Sequence, residues 1–108
     1  MAYDVELADR LREALAGQPD LTEKRMFGGL AFLLAGNMVA AASGRGGLML
    51  RVDPERAEDL LADPRASRMV MGGREMDNWL RVALDADDDE LDRWVGLGVE
   101  FVRTLPPK

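Results

Sequence analysis

Two adjacent glycines lie inside an apolar, strand-like run that reads Lys24-Arg25-Met26-Phe27-Gly28-Gly29-Leu30-Ala31-Phe32-Leu33-Leu34. Glycines within a β pattern usually mark a bulge, a bend or a place where another backbone approaches closely. The run therefore specifies backbone geometry, and it predicts two strands that meet at the glycine pair. A bulge and a close approach require the same residue type, so the pattern leaves both open.

Apolar periodicity and turn residues on either side of this run predict nine elements. They are a helix over 4–15, strands over 22–27, 30–34, 38–43 and 48–52, a short helix with Asp53 as its cap and Pro54 in its first position, a hairpin with strands over 69–71 and 78–84, and a last helix that starts in the acidic residues 85–92. This order, α-β-β-β-β-α-β-β-α, predicts a single α+β domain over residues 1–108. We expect two layers, with helices on one face of an antiparallel sheet.

Cysteine and histidine are both absent from the 108 residues, and the formal net charge is −6. Their absence excludes disulfides, thiol nucleophiles, zinc sites of the Cys/His type and Ser-His-Asp catalysis. We therefore predict a protein that is not an enzyme and has no catalytic residue, metal site or cofactor. The acidic balance argues against direct binding of nucleic acid, which uses a basic surface.

The sequence also bounds the cellular location. No apolar run approaches the roughly 20 residues of a membrane helix, and the first six residues lack the basic and then apolar start of a secretory signal. We expect a cytoplasmic protein that does not contact a membrane.

Methionine is frequent, with seven residues in the chain. Most of them are expected to fill gaps in the core, because the side chain is flexible. Strand alternation adds four candidate contact residues: if their neighbours point inward, then Met49, Arg51, Trp79 and Arg81 point to the other side of the sheet. These residue types are enriched at interfaces. The more common arrangement has Trp79 against a helix or loop and the arginines in cross-strand pairs.

Three motifs follow one another in a fixed order: the run Arg25-Met26-Phe27-Gly28-Gly29, the turn Gly36-Asn37-Met38, and an apolar strand that ends near the basic residue Arg51. In these motifs, and over nearly its whole length, the chain resembles the TfoX/Sxy N-terminal domain family. The resemblance implies a two-layer fold similar to secretion chaperones and no known catalysis. It also implies that the motif residues shape the sheet or contact a partner; these are Arg25, Met26, Phe27, Gly28, Gly29 and Gly36.

Named members of that family are bacterial competence regulators that act as coactivators beside a DNA-binding transcription factor, and they carry a second, C-terminal domain. This sequence ends at Lys108 without one, so we expect a single-domain member and do not carry the competence role over. The expected function is that of a regulatory or adaptor domain that binds a protein, possible partners being the transcription machinery or a second copy. The alternative is a small-molecule binder or minor enzyme with a pocket between sheet and helices, and with Glu23, Lys24 or Arg81 as its polar groups.

Overall fold

The computed structural model describes residues 3–26, 28–84 and 86–108. The elements are α1 (Val5–Leu15), β1 (Leu21–Met26), β2 (Gly29–Leu34), β3 (Asn37–Ala42), β4 (Leu48–Arg51), α2 (Ala57–Leu60), β5 (Ala66–Met71), β6 (Arg74–Val82) and α3 (Leu91–Val102). The predicted element order and the α+β class are confirmed. In these described ranges, no helix is both long and apolar enough to cross a bilayer.

The six strands form one open antiparallel sheet in the order β1-β2-β3-β4-β6-β5. Strands β1 to β4 follow one another as a meander. The last hairpin is then reversed, so that β6 pairs with β4 and β5 becomes an edge. A register shift between Phe32 and Leu33 pairs Phe32 with Ala40 and Leu33 with Met38. This bulge turns Val39 toward the core, where its side chain is fully buried.

The helices cover one face of the sheet. α1 and α3 pack against β3 and against each other, α3 also contacts β4, and α2 contacts β6. Alternate strand residues such as Phe32, Leu50 and Leu80 are fully buried beneath them, together with Trp94 of α3. The periodicity of two in the strands thus separates a helix-covered face from a helix-free face.

Gly98 sets the distance between α3 and the sheet. A Cβ atom at this position would lie 2.7 Å from Cδ1 of Leu50, 3.1 Å from the carbonyl oxygen of Arg51 and 3.2 Å from Cγ2 of Val39. The absence of a side chain therefore lets the helix approach β3 and β4 closely.

One predicted helix start is wrong, and a second lies late in its predicted segment. Asp53 does not cap α2: its Oδ1 accepts a hydrogen bond from the amide of Glu55 at 2.9 Å, and α2 begins only at Ala57 after a turn. The last helix begins at Leu91, within residues 85–92 but after most of the acidic side chains. Asp85 lies outside the described residues. Aspartate binds nearby backbone amides in turns as readily as in caps, so the local sequence does not separate the two arrangements.

Candidate functional site

The helix-free face of the sheet is a concave surface with a defined row of side chains. Register places one residue from each strand side by side across this face, and residues that pair directly in a sheet share a face. From edge to edge the row is Lys24, Ala31, Ala41, Met49, Arg81 and Ser67. The two alanines near the centre carry the smallest side chains in the row, which lowers the middle of the surface.

A cleft of about 460 Å³ occupies this face. Five large apolar side chains line it: Met26, Met38, Met49, Met69 and Trp79. Met69 is 7% exposed and the other four are half-buried, so parts of their surfaces remain open to the solvent. We call this concavity, with its five apolar side chains, the methionine cleft. It reaches from β1 at one edge of the sheet to β5 at the other.

Arg81 is held at one end of the methionine cleft. Its Nη2 donates to the carbonyl oxygen of Gly46 at 3.1 Å, and its Nη1 lies 3.4 Å from Oγ of Ser43. The same hydroxyl oxygen accepts from the backbone amide of Arg45 at 3.1 Å. Through these two hydrogen bonds, the buried Ser43 connects Arg81 to the turn between β3 and β4. The exposed side chain of Arg45 lies on that turn, at the same end of the cleft.

Arg51 lies on the same face, directly opposite Trp79 in the β4–β6 register. Its Nε is buried and has no hydrogen-bond partner among the described residues. A buried donor of this kind is costly, because it has lost its water without gaining an acceptor. One donor of Arg51 is therefore unsatisfied within the described residues, in the interior beside the cleft.

Ion pairs are concentrated away from this face. Within the described residues, the arginines that have a carboxylate within 4.0 Å are Arg10, Arg12, Arg65, Arg68 and Arg93. None of the three arginines at the methionine cleft is among them, although the chain has six more acidic than basic residues. Arg51 and Arg81 thus form no ion pair across the strands within the described residues, and Arg81 bonds instead to Ser43 and Gly46. Trp79 lines the open cleft together with Gly44, Arg45 and Gly72 of two turns.

The largest ion-pair cluster joins the start of β5 to the segment before α3. Arg65 contacts Asp63 at 2.8 Å and Asp88 at 3.4 Å, and it also pairs with Glu90. Hydrogen bonds from the Arg65 side chain and backbone lower the pKa of Asp63 to about 2, and the Arg65 side chain also lowers the pKa of Glu90. The acidic segment thus stabilises the fold through a distant arginine.

The glycines of the family motif meet backbone requirements. Gly28 has a φ of +78° and Gly36 one of +83°, values that L side chains rarely adopt. A Cβ at Gly29 would lie 2.4 Å from the carbonyl oxygen of Ala42 on β3, so Gly29 permits close approach of that strand. Phe27 lies outside the described residues. The backbone geometry therefore explains the presence of these three glycines without a binding partner.

The two remaining motif residues differ in position. Met26 lines the methionine cleft, and Arg25 is exposed on the edge strand β1, opposite Leu30. Only Met26 of this pair is placed where it can contribute to the same surface as Trp79.

The sequence predicted some of the residues on this surface. Met49, Trp79 and Arg81 line the cleft, and Arg51 lies beside it. The expectation that most methionines fill the core is wrong for the described residues, because the apolar cluster beneath the helices contains leucine, valine, alanine and aromatic side chains but no methionine. Three lining residues were missed as contacts, namely Met38, Met69 and Arg45. Only pairing between distant strands brings these residues to one place.

A small cavity lies between the sheet and the helices, bordered by α2 and α3. It encloses about 50 Å³, whereas ligand sites commonly span about 300–1,000 Å³. Glu23 is paired with Arg12 at 2.6 Å. Lys24 and Arg81 belong to the row on the opposite face. The three polar groups suggested for a pocket on the helix side are therefore not assembled there.

Comparison with known proteins identifies one family. The sequence model described as the TfoX N-terminal domain matches residues 13–102. No curated protein and no solved structure shows a significant match to the chain.

Proposed function

The chain belongs to the TfoX N-terminal domain family, and we propose that it is a non-catalytic regulatory or adaptor domain that binds a protein partner in the methionine cleft. The observation that carries this proposal is the position of four methionines and Trp79 around one cleft on the sheet face that the helices leave uncovered. Methionine adapts its shape to different apolar surfaces, and tryptophan is a frequent anchor of binding energy at interfaces.

The shape and charge of the surface favour a protein over other ligands. The cleft is an open concavity that spans the width of the sheet, and it exposes apolar side chains together with arginines at one end. A net charge of −6 disfavours nucleic acid. The family is not a known enzyme family, and its competence regulators suggest a component of the transcription machinery as the partner. A second copy of the chain, bound through the same cleft, is the other form of this proposal.

The test compares three baits in affinity capture from the lysate of the source cell, with mass spectrometry of the retained proteins. The baits are the wild type, Trp79→Ala, and a control variant, Arg93→Glu, whose exposed side chain lies on α3. Thermal unfolding first establishes that all three baits fold. We expect a protein that the wild type and the control retain and that Trp79→Ala loses, since removal of an interface anchor costs about 2 kcal/mol or more, roughly 30-fold in Kd.

Light scattering on the same three proteins tests the second form. A dimer mass that Trp79→Ala reduces to the monomer mass assigns the cleft to self-association. Equal retention of every captured protein by Trp79→Ala and the wild type, with equal masses in light scattering, would contradict the use of this cleft.

A further inference from the structure

We propose that the segment recognised by the methionine cleft is an acidic amphipathic helix of about 16 residues in a partner protein. This inference rests on the proposed function, and it adds the chemistry and the length of the bound segment. It follows from the charges of the cleft, from the fixed guanidinium of Arg81 and from the dimensions of the cleft.

The first argument is charge complementarity. Arg45 and Arg81 lie at one end of the cleft and Arg51 lies beside Trp79, and none of these three has a carboxylate within 4.0 Å among the described residues. Five of the twelve arginines have a carboxylate within 4.0 Å in the described residues, and none of those five lines the cleft. Arginine binds carboxylates through short, charge-assisted and often bidentate hydrogen bonds. The bound segment should therefore carry Asp or Glu at the flank that meets the turn between β3 and β4.

The second argument concerns the hydrogen bonds that remain to be made at Arg81. This residue uses two of its donors on Ser43 and Gly46, which fixes the guanidinium and leaves other N–H groups for a ligand. A carboxylate from a partner would accept from donors that are already positioned, so little side-chain entropy is lost on binding.

The third argument is geometric. The cleft extends from Met26 on β1 to Met69 on β5, across all six strands. Five strand spacings of about 4.8 Å give a length of about 24 Å. An α-helix covers this length with about 16 residues at 1.5 Å per residue, or a little over four turns. The methionines and Trp79 would receive aliphatic side chains at positions i, i+3, i+4 and i+7 of that helix, a known mode of groove recognition.

The experiment selects the ligand without assuming its charge. A displayed library of 16-residue, helix-biased peptides is panned on the wild-type protein, with removal of the peptides that also bind Trp79→Ala. We expect the retained peptides to carry a marked excess of Asp and Glu over the unselected library, on one flank of an aliphatic face. Cleft-dependent peptides that are neutral or basic would overturn this inference and leave the proposed function standing. A library that yields no cleft-dependent peptide would count against both.

A matched pair of variants then tests the role of the arginines. Arg45→Glu/Arg81→Glu and the control Arg56→Glu/Arg93→Glu change the net charge by the same amount on opposite faces. For a selected acidic peptide, we expect Kd to rise at least about tenfold in the cleft variant and to stay within about twofold in the control. Equal weakening in both variants would assign the effect to net charge and overturn the site. A central proline in the peptide should abolish binding, and unchanged binding would overturn the helical form.

Discussion

Replacing the two glycines of α3 by alanine should change stability in opposite directions. Gly96 and Gly98 lie in the same helix, two residues apart. A Cβ at Gly96 would meet no atom within 4 Å, whereas a Cβ at Gly98 would lie 2.7 Å from Cδ1 of Leu50 and 3.1 Å from the carbonyl oxygen of Arg51. The intrinsic helix preference is the same for both substitutions, so the pair isolates the cost of contact with the sheet.

The magnitudes follow from two opposing terms. Alanine is favoured over glycine in a helix interior by about 0.8–1 kcal/mol, and Gly96→Ala should gain most of this. Gly98→Ala gains the same term but overpacks a filled core, at a cost of about 1–3 kcal/mol. Leu50 is fully buried, and a shift of the added Cβ away from it is opposed by the carbonyl oxygen of Arg51 and by Val39, both within 3.2 Å. We expect a net loss of about 1 kcal/mol for Gly98→Ala and a difference of about 2 kcal/mol between the variants.

Urea unfolding, followed by circular dichroism, measures this difference. With a slope of about 2 kcal/mol per molar urea, the two midpoints should differ by about 1 M. The slope itself should not change, because both variants expose the same surface on unfolding. If Gly98→Ala is as stable as Gly96→Ala, then α3 does not approach β4 as closely as described, and the account of its packing is wrong.

Three further results are expected. Gly29→Ala should lower the unfolding midpoint strongly, since its Cβ would meet a backbone oxygen of β3 at 2.4 Å; an unchanged midpoint would contradict that approach. The depressed pKa of Asp63, about 2, means that its pairing with Arg65 stabilises the fold fully above the unfolded pKa near 4 and loses this effect as the pH falls toward 2. Stability measured against pH should therefore fall less steeply over this range in Arg65→Ala than in the wild type. The pair of Arg12 with Glu23 is partly exposed, so a double-mutant cycle should give a coupling below about 1 kcal/mol that decreases in high salt.

Particular elements show why part of the fold was predictable. Leu48, Met49 and Leu50 point alternately to the two faces of one short strand, and the structure buries the leucines under the helices while Met49 lines the cleft on the opposite face. Alternation is a property of the extended backbone itself and needs no knowledge of neighbouring strands. Turn glycines act in the same local way. Gly72-Gly73 join β5 to β6, and Gly36 lies in the turn between β2 and β3, although Asn37, predicted in that turn, is already the first residue of β3.

Other features depended on groups far away in the chain. The acidic residues before α3 were expected to start that helix, but two of them, Asp88 and Glu90, pair with Arg65, more than twenty residues earlier. Gly29 is needed because of a carbonyl group on β3, a requirement that the run of residues 24–34 does not contain. An aspartate or a glycine has several local uses, and only its distant neighbours select one of them.

The sequence by itself determined the order of the elements, the α+β class, the family and the faces to which alternate residues of β4 belong. Only the tertiary structure decided that four methionines from four strands and Trp79 from a fifth surround one cleft, that three arginines near it have no acidic partner among the described residues, and that a cavity between sheet and helices encloses only about 50 Å³. The physical reason is the distance along the chain over which the determining interactions act. Periodicity and turn chemistry act through the nearest few peptide units, whereas a cleft and its charges arise from the register of six strands that are distant in sequence.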